Sequence, residues 1–344
     1  MILPEQAAGV HLVGSVPFDN CRQVFQNVAA ILGNYIHRLP DGETGVRSNW
    51  VDWQLPILQQ NPNLKLVSNK AYEYTQIKML GLRSGCNSKN LQLGDLGYSN
   101  AALASFEEFQ KLKSSGDIPR HCRFQVCLPT PLATTHLYVE QSLQPDFEPQ
   151  YADRLSGELK QILDAIPHDE LAIQWDTAVE FALLEGVMPS CIEDLQQGII
   201  DRLLRLTTTV PEPVELGFHL CYGDSRHKHF CEPEDTGKLV LIANAIAAGV
   251  ERELNWIHMP VPKDRSDDAY FKPLVNLRLA ENTQLYLGLV HYSDGEAGTR
   301  RRIKTAKKYV TNFGVATECG FGRRAPDTLD ELMHIHVAVS MPVV

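Results

Sequence analysis

The sequence has no apolar run that approaches the roughly 20 residues of a membrane-spanning helix. It also lacks a basic arm to offset its acidic balance, since 42 Asp and Glu outnumber 32 Lys and Arg and give a formal charge of −10. Such a chain is poorly suited to bind nucleic acid or anionic membranes. We therefore expect a small-molecule substrate, with neither a nucleic acid nor a membrane as partner.

The first residues, MILPEQAAGVHLVGS, lack the basic start and long apolar core of a signal peptide, which predicts a cytoplasmic location. In that compartment the eight cysteines are expected to be buried thiols or metal ligands, not disulfides. The composition, 44% apolar and 22% charged residues, is typical of a globular protein.

Eight short apolar segments have the length and β-branched content of buried strands. Helical patterns fill most of the gaps between them, which is typical of βαβ units and a parallel sheet. Eight such units predict a single (β/α)8 TIM barrel domain over residues 1–344. The predicted strands are residues 10–17, 34–40, 123–129, 170–176, 214–221, 253–260, 285–292 and 313–320.

Two stretches interrupt this regular alternation. Residues 41–121 are too long for one crossover, so we interpret them as an elaborated connection between the second and third strands that contains a small hairpin. The polar segment 222–235 follows the fifth strand. It contains His227, His229 and Cys231, which we expect in a solvated loop and not in a second metal site.

Reactive side chains are concentrated where the predicted strands end. In a parallel barrel these carboxyl ends meet at one face, where active sites lie. The residues at these ends are Ser15, Asp41, Glu43, Asp176, His219, Cys221, His258, His291, Asp294 and Cys319.

His219 and Cys221 are two residues apart on a strand, so both side chains face the same side. Imidazole and thiolate together suit Zn²⁺, although a core histidine beside a core cysteine gives the same pattern. Cys319 ends the eighth strand and His258 the sixth. These four nitrogen and sulfur ligands predict a tetrahedral zinc site, with one ligand displaceable by substrate.

The order of these motifs resembles the catalytic barrel of the cobalamin-independent methionine synthases, within the wider group that includes uroporphyrinogen decarboxylase. The resemblance extends along most of the chain but is faint over residues 52–121. It is carried by Val13-Gly14-Ser15, by Glu43 in DGETGVRSNWVDW, by Ile173-Gln174-Trp175-Asp176, by His219 and Cys221, and by Glu318-Cys319-Gly320-Phe321.

The resemblance implies a role for each matching position. Zinc binds through His219, Cys221 and Cys319, and His258 stands where the family has a glutamate ligand. Ser15, Glu43 and Asp176 match residues that bind the amino acid part of a thiol substrate, with Asp176 also orienting it for catalysis. His291 is near the family's acid/base histidine, which implies that it protonates a leaving group.

Departures from the family pattern leave the reaction open. The family's Asp-Glu-Pro after the fourth strand is replaced by Asp176-Thr177-Ala178, and no folate-stacking tryptophan is evident near residues 128–138, so a folate donor is not expected. The first hypothesis is a zinc-dependent methyl or alkyl transferase with a thiol acceptor. The alternatives are a zinc-dependent hydrolase, lyase or cyclase, which uses metal-activated water or a polarised carbonyl, and a non-catalytic binding protein.

Overall fold

The centre of the protein is a parallel sheet that presents the carboxyl ends of its strands on one side. The structure is a computed structural model that describes residues 6–72, 75–224 and 228–344, with backbone alone for 69–72 and 75–77. Its strands are β1 (Ala7–Ala8), β2 (Arg38–Pro40), β3 (Leu64–Tyr72), β4 (Thr75–Leu82), β5 (Arg123–Pro129), β6 (Leu171–Thr177), β7 (Glu215–Leu220), β8 (Trp256–Pro260), β9 (Gln284–Val290), β10 (Gly314–Thr317) and β11 (Ser340–Met341).

Seven strands form this sheet, in the order β10-β9-β8-β7-β6-β5-β2, and every pairing is parallel. Neighbours in the sheet follow one another along the chain, apart from the hairpin β3–β4, as expected for successive βαβ units. Each strand is buried along most of its length, as both faces of a helix-covered parallel sheet must be. The predicted parallel α/β class is therefore confirmed.

Helices connect the strands, and the longer ones bury one apolar face. In the first helix the Asn20 side chain accepts the Gln23 N–H at 3.0 Å, and Val24, Phe25 and Val28 are buried. The helices are α1 (Cys21–Leu32), α2 (Gln54–Gln59), α3 (Tyr98–Ser115), α4 (Pro131–Tyr138), α5 (Gln144–Ala165), α6 (Val179–Leu184), α7 (Leu195–Thr207), α8 (Gly237–Gly249), α9 (Asp268–Phe271), α10 (Gly295–Ala306) and α11 (Leu329–Val339). By contrast with the longer helices, α4 and α6 are buried nearly all round.

The predicted first strand, residues 10–17, does not form a regular ladder within the described part of the chain. Val10 makes isolated parallel bridges to Ile36, before β2, and to Val315 in β10, so this segment contacts both edges of the sheet. Further along this segment, a side-chain amide takes the place of a backbone N–H from a neighbouring strand: Gln125 Nε2 donates to the Leu12 carbonyl at 2.9 Å. The sheet thus has seven regular strands in place of the predicted eight.

The long connection after β2 contains the predicted hairpin. β3 and β4 pair antiparallel, and Leu80 of β4 makes a bridge to Val139 after α4. α3 then packs against α1 and α5 on the outside of the sheet. None of the helices in the described residues is long and apolar enough to cross a lipid bilayer.

Candidate metal site and adjoining pocket

Strand register aligns three of the predicted site residues. Asp176 of β6 pairs with His219 of β7, which in turn pairs with His258 of β8. Cys221 lies just beyond the end of β7, and Cys319 lies just beyond β10. The carboxyl ends of the sheet therefore gather the two cysteines around His219.

A three-residue cluster has the composition of a zinc site. One ligand atom each from His219, Cys221 and Cys319 lies within 4.8 Å of the other two, and no other group of three such ligands lies this close together among the described residues. The Nε2 atom of His219 is buried and has no hydrogen-bond partner. A buried imidazole nitrogen without a partner is costly unless something binds it. One nitrogen and two sulfurs therefore fit Zn²⁺, with a fourth position left open.

His258 does not belong to this cluster. Its Nδ1 lies 2.6 Å from Nδ1 of His219, and its Nε2 lies 3.0 Å from the Thr317 carbonyl oxygen. Both ring nitrogens are thus already engaged, and the side chain is fully buried. The arrangement places His258 behind His219, as a neighbour of a candidate ligand and not beside the two sulfurs.

The two thiols of the cluster differ in acidity. A hydrogen bond from Cys319 holds the pKa of Cys221 well below its usual range, and the nearby His219 acts in the same direction. The backbone N–H of Gly223 donates to the Cys221 sulfur at 3.2 Å. Because Cys319 donates a hydrogen bond to Cys221, the pKa of Cys319 is raised. Cys221 is therefore the thiol best prepared to be a thiolate, the form that binds metals.

The cluster opens on a small cavity of about 60 Å³. All three predicted substrate-binding residues, Ser15, Glu43 and Asp176, line this cavity. His219, Cys221 and Cys319 line it as well. The structure thus brings the predicted metal-binding and substrate-binding residues together, apart from His258.

Glu43 and Asp176 are two buried carboxyl groups in this cavity. Burial raises the pKa of Glu43 to about 8, and the charge of Asp176 adds to the shift. Burial also raises the pKa of Asp176 to about 7, although His219 and a hydrogen bond from Gln174 Nε2, at 2.8 Å, oppose the shift. Two such carboxyl groups favour a ligand with a positively charged group, which would offset the negative charge of their ionised forms.

The backbone at Glu43 is held in an uncommon conformation, with φ of +50°. Its N–H donates to Asp41 Oδ1 at 2.9 Å. Asp41 also accepts hydrogen bonds from Arg47 at 2.5 Å and from Ser105 at 2.8 Å. Asp41 therefore stabilises the turn that directs Glu43 into the cavity.

Ser15 connects the irregular segment 10–17 to the turn that carries Cys319. Its carbonyl accepts the Phe321 N–H at 2.7 Å, and its Oγ accepts the Gly322 N–H at 3.3 Å. A Cβ on Gly320 would lie only 2.2 Å from Ser15 Oγ. This close approach requires glycine in the Glu-Cys-Gly-Phe turn.

His291 lies beside Glu318 and does not line the cavity. Its Nε2 donates to the Val261 carbonyl at 2.9 Å, and its Nδ1 lies 3.7 Å from Glu318 Oε1. Burial lowers its pKa to about 4, so the ring is neutral near pH 7. The predicted acid role of His291 therefore stays a prediction.

The loop after β7 is less solvated than expected. The side chain of His229 is only 3% exposed, and its Nε2 lies 3.2 Å from Glu318 Oε2. The prediction of a solvated position was wrong for His229, because the ion pair holds it against the turn next to Cys319. His227 lies outside the described residues.

Two contributors to the site were not identified from the sequence. Trp50, at φ of +51°, lines the cavity and hydrogen-bonds to Asp176. Gln174 accepts from His11 at 2.8 Å and donates to Asp176 and to the Val13 carbonyl. Both residues lay in segments that carry the resemblance, Gln174 in Ile-Gln-Trp-Asp and Trp50 in DGETGVRSNWVDW, but no role was assigned to either.

Comparisons with known proteins support the fold. No family model and no curated protein sequence matches the chain. A B12-independent methionine synthase from Shewanella sp. W3-18-1 in complex with selenomethionine is similar in structure, with a TM-score of 0.63, 12% identity, and coverage of 98% of this chain and 96% of that one.

Two further solved structures are similar over nearly their full lengths. A candidate vitamin-B12 independent methionine synthase from Listeria monocytogenes has a TM-score of 0.57 and 14% identity, with 97% of this chain and 99% of that chain covered. A methyltransferase from Methanosarcina mazei has a TM-score of 0.53 and 11% identity, with 98% and 95% covered. The predicted resemblance to cobalamin-independent methionine synthases is thus confirmed at the level of the fold.

Proposed function

We propose that the protein is a zinc-dependent methyl or alkyl transferase that acts on a small thiol acceptor. The observation that carries this proposal is the unpartnered Nε2 of buried His219, beside Cys221 and Cys319, on the cavity that also contains Glu43 and Asp176. The methionine synthase and methyltransferase names of the similar structures favour the same chemistry.

In this proposal His219, Cys221 and Cys319 hold the zinc ion. Zinc in such a site supplies Lewis acidity, which lowers the pKa of a bound thiol. His219 and Cys221 are buried and Cys319 is only partly exposed, which limits access of water to the site. His291, whose Nδ1 lies 3.7 Å from Glu318 Oε1, keeps the proposed role of proton donor to the leaving group, for which its neutral ring must first take up a proton.

The acceptor that fits this cavity carries an amino group near its thiol. The carboxylates of Glu43 and Asp176 bind the ammonium, and Asp176 orients the thiol end toward the cysteines. Ser15 retains a hydroxyl hydrogen to donate to the substrate, because its Oγ only accepts from Gly322. The small cavity suits a compact head group better than a large ligand, whose pockets usually measure roughly 300–1,000 Å³.

We further propose that residues 1–344 form one barrel domain. The bridges of Val10 to both Ile36 and Val315 support a role for residues 10–17 in closing the sheet between β2 and β10. In this arrangement the first segment brings Ser15 to the same rim as the other site residues.

A second candidate is a zinc-dependent hydrolase, lyase or cyclase. It is favoured by the histidine at position 258, where the methionine synthases have a glutamate ligand. A site with two thiolates and no carboxylate carries one negative charge less than theirs, so its metal is more positive. Such a metal activates water more strongly, and Asp176 or Glu43 is then available as a general base.

Metal content tests the site first. Elemental mass spectrometry of the purified protein is expected to find about one zinc per chain, lost in Cys221→Ala and in Cys319→Ala. Cys191→Ala is the matched control, because Cys191 is exposed, contacts the Gln141 carbonyl and is not a member of the cluster. Wild-type protein that contains no metal and takes up no added zinc would contradict the proposal.

The acceptor is tested by X-ray absorption at the zinc edge. Addition of a small amino thiol is expected to add a sulfur to the zinc coordination shell. An unchanged shell, with turnover of an ester or amide substrate, would favour the second candidate. A protein that binds ligand equally well in the Cys319→Ala form would instead favour a non-catalytic binding protein.

A further inference from the structure

We propose that His258 is a positioning residue for the metal site, which fixes the ring orientation and the proton of His219 without binding the metal. This inference rests on the zinc site of the proposed function. It concerns two consecutive contacts: the Thr317 carbonyl binds His258, and His258 in turn binds the His219 side chain on the side away from the two sulfurs.

The location of each proton follows from the donor and acceptor types. The Thr317 carbonyl oxygen can only accept, so Nε2 of His258, at 3.0 Å, must carry the hydrogen. In a neutral imidazole the other nitrogen is then an acceptor. Nδ1 of His219, 2.6 Å away, must therefore donate to Nδ1 of His258.

The side chain of His258 is fully buried, and the ring centroids of His219 and His11 lie 4.7 and 6.0 Å from its own. With its Nε2 hydrogen bound to the Thr317 carbonyl, its Nδ1 presents the lone pair that accepts the proton of His219.

The consequence for His219 is a lone pair on Nε2, the atom that lies with the two sulfurs. That nitrogen is buried and has no other partner, as a prepared ligand atom should be. Hydrogen bonds to the distal nitrogen of a metal-bound histidine commonly fix its tautomer, and their loss typically weakens metal binding 10–100-fold. Here the partner is a second histidine, which the backbone of Thr317 orients in turn.

Nuclear magnetic resonance reads the proposed protons directly. Long-range ¹H–¹⁵N correlation spectra of the metal-free and zinc-loaded protein are expected to show His258 as a neutral ring protonated at Nε2 in both forms. In the zinc-loaded form His219 is expected to be protonated at Nδ1. The opposite tautomer of His258, or a metal-shifted His258 nitrogen, would overturn the proposal.

Variants test the effect on metal binding. His258→Phe keeps the bulk but removes the acceptor, so competition with a chromophoric chelator is expected to show zinc affinity about 10–100-fold weaker. His258→Gln is expected to recover part of the loss, because its amide oxygen can accept from His219. His136→Phe is the matched control, since His136 is also buried but lies in α4 with the Leu132 carbonyl as its partner.

Cobalt substitution separates positioning from ligation. The cobalt-loaded His258→Phe protein is expected to keep the sulfur-to-cobalt bands and coordination number of the wild type. Loss of a nitrogen ligand from that spectrum, or unchanged zinc affinity in His258→Phe, would overturn the positioning role. Either result leaves the zinc transferase proposal intact, whereas a wild-type protein that binds no zinc overturns both.

Discussion

At the scale of single residues, burial turns Glu43 and Asp176 into groups that titrate near neutral pH. The pKa values of about 8 and about 7 mean that the pair retains protons at pH 7 in the absence of a cation. A bound ammonium lowers both pKa values and drives protons off. Binding of an amino thiol at pH 7 should therefore release protons, and its affinity should rise as the pH rises toward 8.

Asp176→Asn tests this pairing. The variant keeps the shape of the side chain but removes the charge, so we expect an amino thiol to bind roughly 10- to 100-fold more weakly, the cost of a hydrogen bond to a charged group. Calorimetry in buffers of different ionisation enthalpy measures both affinity and proton release. Asp169→Asn, an exposed acid, is the control. Equal affinity for the same thiol without its amino group would contradict the assignment.

Glu180 in α6 is a buried carboxyl outside the site, and its Oε2 has no partner. Burial raises its pKa to about 7 from 4.5. Because the pKa of Glu180 is higher in the folded protein than in the unfolded chain, the folded protein keeps the Glu180 proton between pH 4.5 and about 7, where the unfolded chain has lost it. Its contribution to stability is complete below pH 4.5 and is lost as the pH rises through 7.

Glu180→Gln should therefore be more stable than the wild type at pH 8, by up to roughly 3 kcal/mol, and nearly equal to it at pH 4.5. Urea unfolding at both pH values measures the difference. Glu107→Gln, at an exposed position of α3, is the control for the substitution itself. A constant difference between Glu180→Gln and the wild type would show that the carboxyl does not titrate in this way.

At the scale of elements, the turn after β10 depends on contact with residues 10–17. Two hydrogen bonds join Ser15 to Phe321 and Gly322, and a Cβ at Gly320 would collide with Ser15 at 2.2 Å. That contact fixes where Cys319 stands relative to Cys221. The geometry of the cluster is therefore sensitive to a substitution that removes neither thiol.

Gly320→Ala is expected to displace this turn, with a loss of roughly 1–3 kcal/mol in the free energy of unfolding and weaker zinc binding. Chemical denaturation and chelator competition measure the two effects. Gly94→Ala is the matched control, because no atom lies within 4 Å of its added Cβ. Wild-type zinc affinity in Gly320→Ala would show that the turn does not position Cys319.

At the scale of the whole molecule, the proposed metal joins distant parts of the chain. Cys221 follows β7 and Cys319 follows β10, with β8 and β9 between them in the sheet. A zinc ion bound by both cysteines stabilises only the folded state, because the unfolded chain does not keep the ligands together.

Removal of zinc should therefore lower the melting temperature of the wild type. Zinc in excess, at a hundred times its dissociation constant, should restore about 2.7 kcal/mol of stability. Calorimetry of the metal-free and reloaded protein measures this change. Cys319→Ala should show no zinc-dependent shift, and Cys191→Ala should behave as the wild type. A zinc-induced shift that persists in Cys319→Ala would place the metal elsewhere.

Local sequence patterns were enough to predict the parallel α/β class, the hairpin in the long connection, and the nearness of His219 and Cys221 at the carboxyl end of β7. These are properties of local periodicity, because alternation along a strand places its side chains before any packing occurs. The nearness of Ser15, Glu43 and Asp176 was also accessible from the carboxyl ends of the predicted strands.

The hydrogen-bond partners of His258 and His291 became visible only in the folded structure. Each is buried against a carbonyl oxygen, of Thr317 or Val261, and neither contact is visible in local spacing. The same holds for Leu12 and Val13, whose carbonyls accept from the side-chain amides of Gln125 and Gln174 where a strand ladder was expected. A hydrogen-bond partner depends on the lateral register of elements far apart in the chain, and sequence periodicity carries no information about that register.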